Sequence, residues 1–194
     1  MRLTPDLLLS AYCQGFFPMS DAEGAIRWYD PHPRAVIPLD TFHVPRRLAR
    51  TVRNGGLEIR YDTSFATVMR YCALPAPGRE TTWISEELIA AYHQLHNLGF
   101  AHSVECWRNE VLVGGLYGVA VRGLFAGESM FSFERDASKV ALVHLVDRLR
   151  RGKFVLLDSQ YIVGQHMLQF GTIEISRNEY RRRLAQALTR DARF

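Results

Sequence analysis

The sequence predicts an α+β fold with a largely antiparallel sheet, and three observations indicate that class. Apolar and aromatic residues typical of strands dominate residues 102–132, where two short turns divide them. Helical periodicity is found before and after this stretch. The chain of 194 residues can bury a sizeable core, and 47% hydrophobic with 23% charged residues is typical of a globular protein. One long meander with helices on either side of it in the chain favours α+β.

The N-terminal segment predicts a short helix followed by a turn. Thr4 and Pro5 suit the N-cap and the first helical position, and Gly15 lies where a helix over about residues 5–14 would stop. A turn-like segment is expected next, at residues 16–19.

A proline-rich stretch, residues 28–34, is the clearest break in composition. Because prolines punctuate helices and strands, this stretch is interpreted as a linker. The chain is therefore expected to have a small N-terminal domain, residues 1–33, and a main domain, residues 34–194.

The first half of the main domain is expected to carry three helices and one strand. Pro45 opens a helix that a glycine pair ends, and Ser85 caps an amphipathic helix that stops at Gly99. Between them, a strand is expected over residues 57–61 and a helix over residues 63–72.

After the meander the predicted elements are shorter. Asp136 or Ser138 caps a helix that closes at Gly152, and Ser176 with Glu179 forms a capping box that starts a basic C-terminal helix. Three segments are expected between these two helices: a buried strand over 154–157, a helix over 163–170 and a strand over 172–175.

Composition excludes several classes of protein. Three widely spaced cysteines form no C-x-x-C pair, so neither a disulfide framework nor a metal site is expected. The longest uncharged, largely apolar run, residues 111–121, is shorter than the roughly 20 residues of a membrane-spanning helix. No signal peptide is recognised, so a cytoplasmic protein without a membrane partner is expected.

An arginine stripe on the Pro45 helix suggests an anionic partner. Arg46, Arg50 and Arg53 fall at i, i+4 and i+7, and no acidic residue lies between Pro45 and Arg53. Like charges this close repel, so a polyanion such as nucleic acid would explain the stripe. The alternatives are a solvated basic face and the codon bias of a GC-rich genome, since 22 of the 24 basic residues are arginine.

Two carboxylates stand out by their apolar surroundings. Glu128 interrupts an apolar strand, where an unpaired charge is costly, so it must find a partner or face a cleft. Asp158 ends a buried strand, a position that suits ligand contact. An ion pair with an arginine for Glu128 and a helix cap for Asp158 are the structural alternatives.

Eight motifs resemble the bacterial leucyl/phenylalanyl-tRNA–protein transferases, in order through nearly the whole chain. They lie at residues 28–36, 82–84, 91–96, 102–107, 114–120, 125–132, 137–139 and 157–160. The resemblance implies transfer of Leu or Phe, and less readily Met, from aminoacyl-tRNA to the α-amine of proteins that begin with Arg or Lys. The added residue would mark the acceptor protein for degradation.

The same resemblance implies a GNAT-like catalytic domain, of the acetyltransferase type, joined to the small N-terminal domain. An aminoacyl ester is already activated, so the reaction needs neither ATP nor a metal, and no cofactor is expected. We expect the protein to act as a monomer.

Residue by residue, the resemblance implies a catalytic set and an apolar pocket. Asp158 and Gln160 would orient the attacking amine, and Glu128 would lie beside them. That Asp158 also acts as a general base is a hypothesis. The aminoacyl side chain would enter a pocket lined by Leu116, Phe125, Met130, Leu142, Leu145 and Leu157.

Contacts with the tRNA are implied at two places. Trp83 would stack on the terminal adenosine, and the arginine stripe of Arg46, Arg50 and Arg53 would hold the acceptor stem. Met19 stands where the family often has tryptophan, so the second wall around the adenosine is expected to differ.

Two other functions fit parts of the sequence. A CoA-dependent N-acetyltransferase would share the fold, but the helix that should bind the pyrophosphate opens with residues 134–139, which contain two acids and no glycine. A non-catalytic RNA-binding module would explain the arginine stripe and leave Glu128 and Asp158 without a role.

Overall fold

A computed structural model describes residues 3–75, 80–162 and 164–194. Its helices are α1 (Pro5–Gln14), α2 (Arg46–Asn54), α3 (Phe65–Ala73), α4 (Glu86–Asn97), α5 (Ala137–Arg151) and α6 (Arg177–Leu188), with a 3-10 helix at Gln165–Phe170. Its strands are β1 (Phe17–Ser20), β2 (Ile26–Tyr29), β3 (Arg34–Ile37), β4 (Glu58–Tyr61), β5 (Ala101–Arg108), β6 (Val111–Val121), β7 (Leu124–Ser132), β8 (Leu156–Gln160) and β9 (Ile173–Ile175).

Seven strands form one mixed sheet in the order β4-β5-β6-β7-β8-β3-β9, and β1 with β2 forms a separate hairpin. The predicted meander is confirmed as the antiparallel run β5-β6-β7. Its turns contain left-handed residues at Asn109, Glu110 and Arg122, as tight hairpins require. A largely antiparallel sheet with helices, as predicted, is therefore what the chain adopts.

The pair β7 and β8 is the parallel exception, and it opens partway along. The two strands pair over three residues, from Leu124 with Leu156 to Ala126 with Asp158. Beyond that point β7 pairs only with β6 and β8 only with β3, so the two strands leave a gap in the sheet. The α5 helix makes the crossover between them, because parallel strands cannot be joined by a tight turn.

Two bulges flank this gap. On β7 the register with β6 shifts between Tyr117 and Gly118, so that Glu128 is the extra residue. On β8 the register with β3 shifts in the same way, and Ser159 is the extra residue. Bulges re-aim side chains next to functional sites, and here both occur where the sheet opens.

Helices cover both faces of the sheet. One core cluster joins α1, α3 and α4 to β6 through residues such as Tyr12, Met69, Leu88 and Val119. The other joins α2 and α5 to the opposite face, and α6 packs over the far end of the first face. Burial of the apolar side chains in these clusters is the main source of the fold's stability.

Two predictions near the N-terminus differ from the structure. Residues 17–19 of the expected turn lie in β1, and residues 28–34 are not a linker. That stretch contains the end of β2 and the first residue of β3, which lies inside the sheet between β8 and β9. All four residues of β3 are buried, so the alternation that reveals a half-buried strand is absent.

The N-terminal segment shares a core with the rest of the chain. Leu8, Tyr12 and Phe17 belong to the same buried cluster as α3, α4 and β6. The domain boundary between residues 33 and 34 stays a prediction.

The remaining elements lie close to their predicted positions. Helix α1 begins after the Thr4 cap, and Gly15 ends it in the left-handed conformation. The serine half of the capping box at α6 is confirmed, because the Ser176 hydroxyl accepts the Glu179 N–H at 3.2 Å. The Glu179 carboxylate instead accepts from Arg182 and Arg183. The helix expected over 163–170 is a 3-10 helix whose predicted first residue, Val163, lies outside the described residues. No helix in the described ranges is long and apolar enough to cross a membrane.

Candidate active site

A cavity of about 310 Å³ opens where β7 and β8 separate. Its walls are largely apolar, and most of its polar residues lie on the two bulged strands. Six of the residues predicted for substrate contact line it: Trp83, Leu116, Met130, Leu142, Leu145 and Leu157. The polar lining includes Glu128, Ser129, Asp158 and Ser159, together with the tyrosines Tyr117 and Tyr161. A largely apolar cavity with a few convergent polar groups is the usual form of a small-ligand site.

Two predicted substrate contacts lie elsewhere. Phe125 is fully buried in the core and stacks on Phe194 with ring centroids 5.5 Å apart, so it supports the cavity from behind. Met19 lies on β1 and packs into the first core cluster, and it is not among the cavity residues. The neighbouring Ser20 N–H donates to the carbonyl of Trp83 at 3.1 Å, which keeps β1 next to that tryptophan.

Asp158 is a fully buried carboxylate, and both of its oxygens accept hydrogen bonds. Arg34 donates to Oδ1 from Nε at 3.0 Å and to Oδ2 from Nη2 at 2.6 Å. The Tyr180 hydroxyl donates to Oδ2 at 2.7 Å, and the backbone N–H of Gln160 donates to Oδ1 at 2.8 Å. The alternative of a helix cap is wrong, because Asp158 lies within β8 and accepts from strand and side-chain donors.

Arg34 is one of the site residues that sequence reasoning missed, together with Tyr12 and Tyr92. It is 1% exposed, and Nη1 also donates to the carbonyl of Gly15 at 2.9 Å. Its guanidinium lies 4.8 Å from the Phe17 ring centroid and 4.3 Å from that of Tyr180. Burial alone would lower the pKa of Arg34, but the adjacent Asp158 carboxylate raises it above its usual value. The sequence around Arg34 is typical of a linker, so nothing in it indicates that this arginine is the buried partner of Asp158.

Glu128 is also buried, and its partners are hydroxyls and an amide. The Tyr12 hydroxyl donates to Oε1 at 2.7 Å, and Gln160 Nε2 donates to the same oxygen at 2.9 Å. The Tyr92 hydroxyl lies 3.3 Å from Oε2 and is hydrogen-bonded to the hydroxyl of Tyr12. The expected alternative of an arginine ion pair is wrong, since no ion pair is formed by Glu128 among the described residues.

Burial raises the pKa of Glu128 to about 8. The hydrogen bond from Tyr12 opposes this effect, and the nearby charge of Asp158 adds to it. Burial likewise holds the pKa values of Tyr12 and Tyr92 well above the usual tyrosine value, so both phenols stay protonated.

Gln160 joins the two carboxyl groups. Its backbone binds Asp158, its side chain binds Glu128, and its φ of 63° places it in the left-handed region. That backbone conformation is strained for a residue other than glycine, and such strain is typical of functional sites. The structure therefore brings together the three residues that the sequence suggested for the catalytic set.

Ser159 contributes one more polar group. Its hydroxyl is buried and has no hydrogen-bond partner among the described residues, although Ser159 lines the cavity. A buried hydroxyl without a partner is costly unless a ligand completes it.

The arginine stripe lies on the exposed side of α2. Arg46, Arg50 and Arg53 are exposed and form no ion pair within the described residues, whereas Arg47 lies 3.3 Å from Asp136. The stripe therefore carries three positive charges that the described part of the chain does not neutralise.

The open sheet, the apolar cavity and the buried carboxyl and amide groups define an enzyme that holds an apolar group beside polar side chains. Comparison with known proteins gives the family. The model described as "Leucyl/phenylalanyl-tRNA protein transferase" matches residues 36–185, and the model of that family's N-terminal domain matches residues 1–32. The chain belongs to the leucyl/phenylalanyl-tRNA protein transferase family, which makes it an aminoacyltransferase.

Relatives cover almost the whole chain. The leucyl/phenylalanyl-tRNA–protein transferase of Phenylobacterium zucineum is 58% identical over 96% of this chain and 85% of its own length. That of Herpetosiphon aurantiacus is 56% identical over 100% of this chain and 98% of its own length. The resemblance seen in the sequence motifs is thereby confirmed.

A solved structure described as L-PGS from Bacillus licheniformis overlaps with a TM-score of 0.44 at 15% identity. The overlap covers 79% of this chain and 50% of that protein, and it is too limited to define a common fold.

Proposed function

We propose that this protein transfers Leu or Phe, and less readily Met, from aminoacyl-tRNA to the α-amine of proteins that begin with Arg or Lys. The extended protein would then enter the N-degron degradation pathway. Membership of the family supports the donor, and the acceptor rule is carried over from the family resemblance.

The observation that carries this proposal is the apolar cavity that ends at Glu128 and Asp158. Its walls of leucine, methionine and tryptophan suit an unbranched or branched apolar side chain and exclude a charged one. The ester carbonyl of the donor would then lie at the polar end, next to Ser159.

The reaction is an aminolysis. The nitrogen of the acceptor amine attacks the ester carbon, and the bond between that carbon and the ribose oxygen breaks. The nitrogen loses a proton, and the released ribose oxygen of the tRNA takes one up. Positioning accounts for much of the rate in such a reaction, because aligned groups have large effective molarities. An α-amine with a pKa of about 8 is partly uncharged near neutral pH, so strong base catalysis is not required.

The site residues have separate roles in this proposal. Asp158 is a positioning group, because its oxygens are filled by Arg34, Tyr180 and the backbone of Gln160. The side-chain carbonyl of Gln160 accepts the hydrogen bond of the amine, since its amide nitrogen is directed to Glu128.

The tRNA would be held by two surfaces. Trp83 would stack on the terminal adenosine, and Met19 on the adjacent strand would contribute to the second wall. Arg46, Arg50 and Arg53 would contact acceptor-stem phosphates. Their exposure and their lack of ion pairs with any described residue support this contact.

The test is extension of a peptide. The protein is mixed with leucyl-tRNA or phenylalanyl-tRNA and with two peptides that differ only in an N-terminal Arg or Ala, and the products are weighed by mass spectrometry. We expect the Arg peptide alone to gain one residue. Bound tRNA without extension of either peptide would favour a non-catalytic RNA-binding module, the second function that the exposed stripe on α2 supports.

The proposal also covers the domain organisation, the compartment and the oligomeric state of the protein. The catalytic domain, residues 34–194, would be of the GNAT-like acetyltransferase type, as the opening between parallel strands β7 and β8 suggests. Residues 1–33 would be a distinct small domain. The protein would act in the cytoplasm, because its donor is charged tRNA, and it would act as a monomer.

A further inference from the structure

We infer that Glu128 is a neutral carboxylic acid in the free protein and that it donates its proton to Tyr92, which leaves the site without net charge when the acceptor amine arrives. The first half of this inference concerns the free protein alone. The second half rests on the aminoacyl transfer proposed above.

The geometry is a closed ring of three oxygen-bearing groups. Tyr12 contacts Glu128 through Oε1 at 2.7 Å, Tyr92 lies 3.3 Å from Oε2, and the two phenol oxygens are hydrogen-bonded to each other. Each of the three contacts needs one hydrogen. The two phenols supply only two, so the third belongs to the carboxyl group of Glu128.

With that proton in place the ring is fully satisfied. Glu128 Oε2–H donates to Tyr92, Tyr92 donates to Tyr12, and Tyr12 donates to Glu128 Oε1. The same Oε1 also accepts from Gln160 Nε2 at 2.9 Å, as a carbonyl oxygen with two lone pairs can. If Glu128 were ionised, one contact would lack a hydrogen, and two oxygens would face each other unbonded.

Charge balance favours the same state. Within the described part of the chain, the titratable or charged groups with the largest effect on Glu128 are Tyr12 from α1, Tyr92 from α4, Asp158 from β8 and Arg34 from β3. Arg34 and Asp158 already form an ion pair at 2.6 Å, so an ionised Glu128 would add an uncompensated buried negative charge. The raised pKa of Glu128 agrees with this balance.

A neutral site matters for the proposed reaction. A fixed negative charge would stabilise the incoming amine as ammonium, which has no lone pair for attack. A buried site of zero net charge favours the uncharged, nucleophilic amine. Glu128 is therefore a positioning residue that orients Gln160 without holding the amine in its unreactive form.

The test follows the ionisation of one carboxyl group in the protein without substrate. The full chain is labelled with glutamate enriched at the side-chain carboxyl carbon, and its NMR signals are recorded across the pH range. The signal missing in Glu128→Gln is that of Glu128. We expect it to report a protonated acid at neutral pH, with a midpoint near the value of about 8. A Glu128 signal that is already ionised at about pH 6 would overturn the inference.

Two tyrosine variants test the contacts of the ring. Tyr12→Phe removes a donor that binds a carboxylate more strongly than a neutral acid, so it should raise the midpoint. Tyr92→Phe should raise it as well, because the Tyr92 hydroxyl can turn to donate to Oε2 once Glu128 is ionised, and that hydrogen bond lowers the pKa of Glu128. An unchanged midpoint in both variants would refute the ring.

A matched control is available on α3. Tyr71 packs against the rings of Phe131 and Phe133, so Tyr71→Phe should leave the Glu128 midpoint where it is. Because the titration uses no tRNA or peptide, its outcome is independent of whether the peptide-extension assay succeeds.

Discussion

Replacing Arg34 with methionine should destabilise the protein more than any other single arginine replacement described here. The change keeps most of the side-chain volume and removes the guanidinium that faces Asp158 at 2.6 Å. Both partners are at most 1% exposed, so Asp158 would be left as a buried charge. Its remaining donors among the described residues would be Tyr180 and the Gln160 backbone. Loss of one partner of a buried pair costs about 3–5 kcal/mol.

The assay is urea unfolding of the wild type and variant at neutral pH. The matched control is Arg47→Met, because Arg47 is 65% exposed and pairs with Asp136 at 3.3 Å. An exposed pair contributes about 1 kcal/mol or less, so the control should barely move the transition. A loss below about 1 kcal/mol for Arg34→Met would refute the view that this ion pair fixes Asp158.

Three further predictions concern pH, the donor and the tRNA. The folded-state pKa of Glu128, about 8, lies above its unfolded value, so its contribution to the free energy of unfolding should fall by about 3 kcal/mol from about pH 5 to about pH 8. Glu128→Gln should remove that slope in urea titrations, and an unchanged slope would contradict it. Trp83→Ala should raise the KM for aminoacyl-tRNA by about tenfold or more in initial-rate assays, as loss of one stacked base predicts, and an unaltered KM would exclude stacking. The double variant Arg50→Ala, Arg53→Ala should weaken tRNA binding and flatten its salt dependence in filter-binding titrations, whereas Arg182→Ala on α6 should do neither.

Local signals in the sequence predicted much of the fold. The meander, the helices and the serine cap at Ser176 depend on patterns within a few residues, and each lies close to its expected position. Strand β3 was missed because it is only four residues long and buried throughout, so it shows no alternation. The parallel contact of β7 with β8 was not foreseen, because it joins residues that are distant in sequence.

In the candidate site, too, local sequence patterns predicted some residues, whereas contacts between residues distant in sequence could not be predicted. Glu128 and Asp158 could be selected from the sequence because a carboxylate in an apolar strand is costly unless a partner or a ligand satisfies it. Their partners could not be selected, since Arg34, Tyr12 and Tyr92 lie on three other elements that only the folded chain brings together. Five of the six residues predicted for the apolar wall line the cavity, and Phe125 does not, because its side chain packs on Phe194. Their contact with substrate stays a prediction.

The most direct test of the account separates the tRNA from the residue it carries. One tRNA is charged in turn with Leu, Phe or Asp, and single-turnover transfer to the same Arg-initiated peptide is measured. The apolar cavity predicts rapid transfer of Leu and Phe and none of Asp, although the tRNA body is identical in all three. Equal transfer of Asp would show that the cavity does not select the donor side chain and would contradict the central claim.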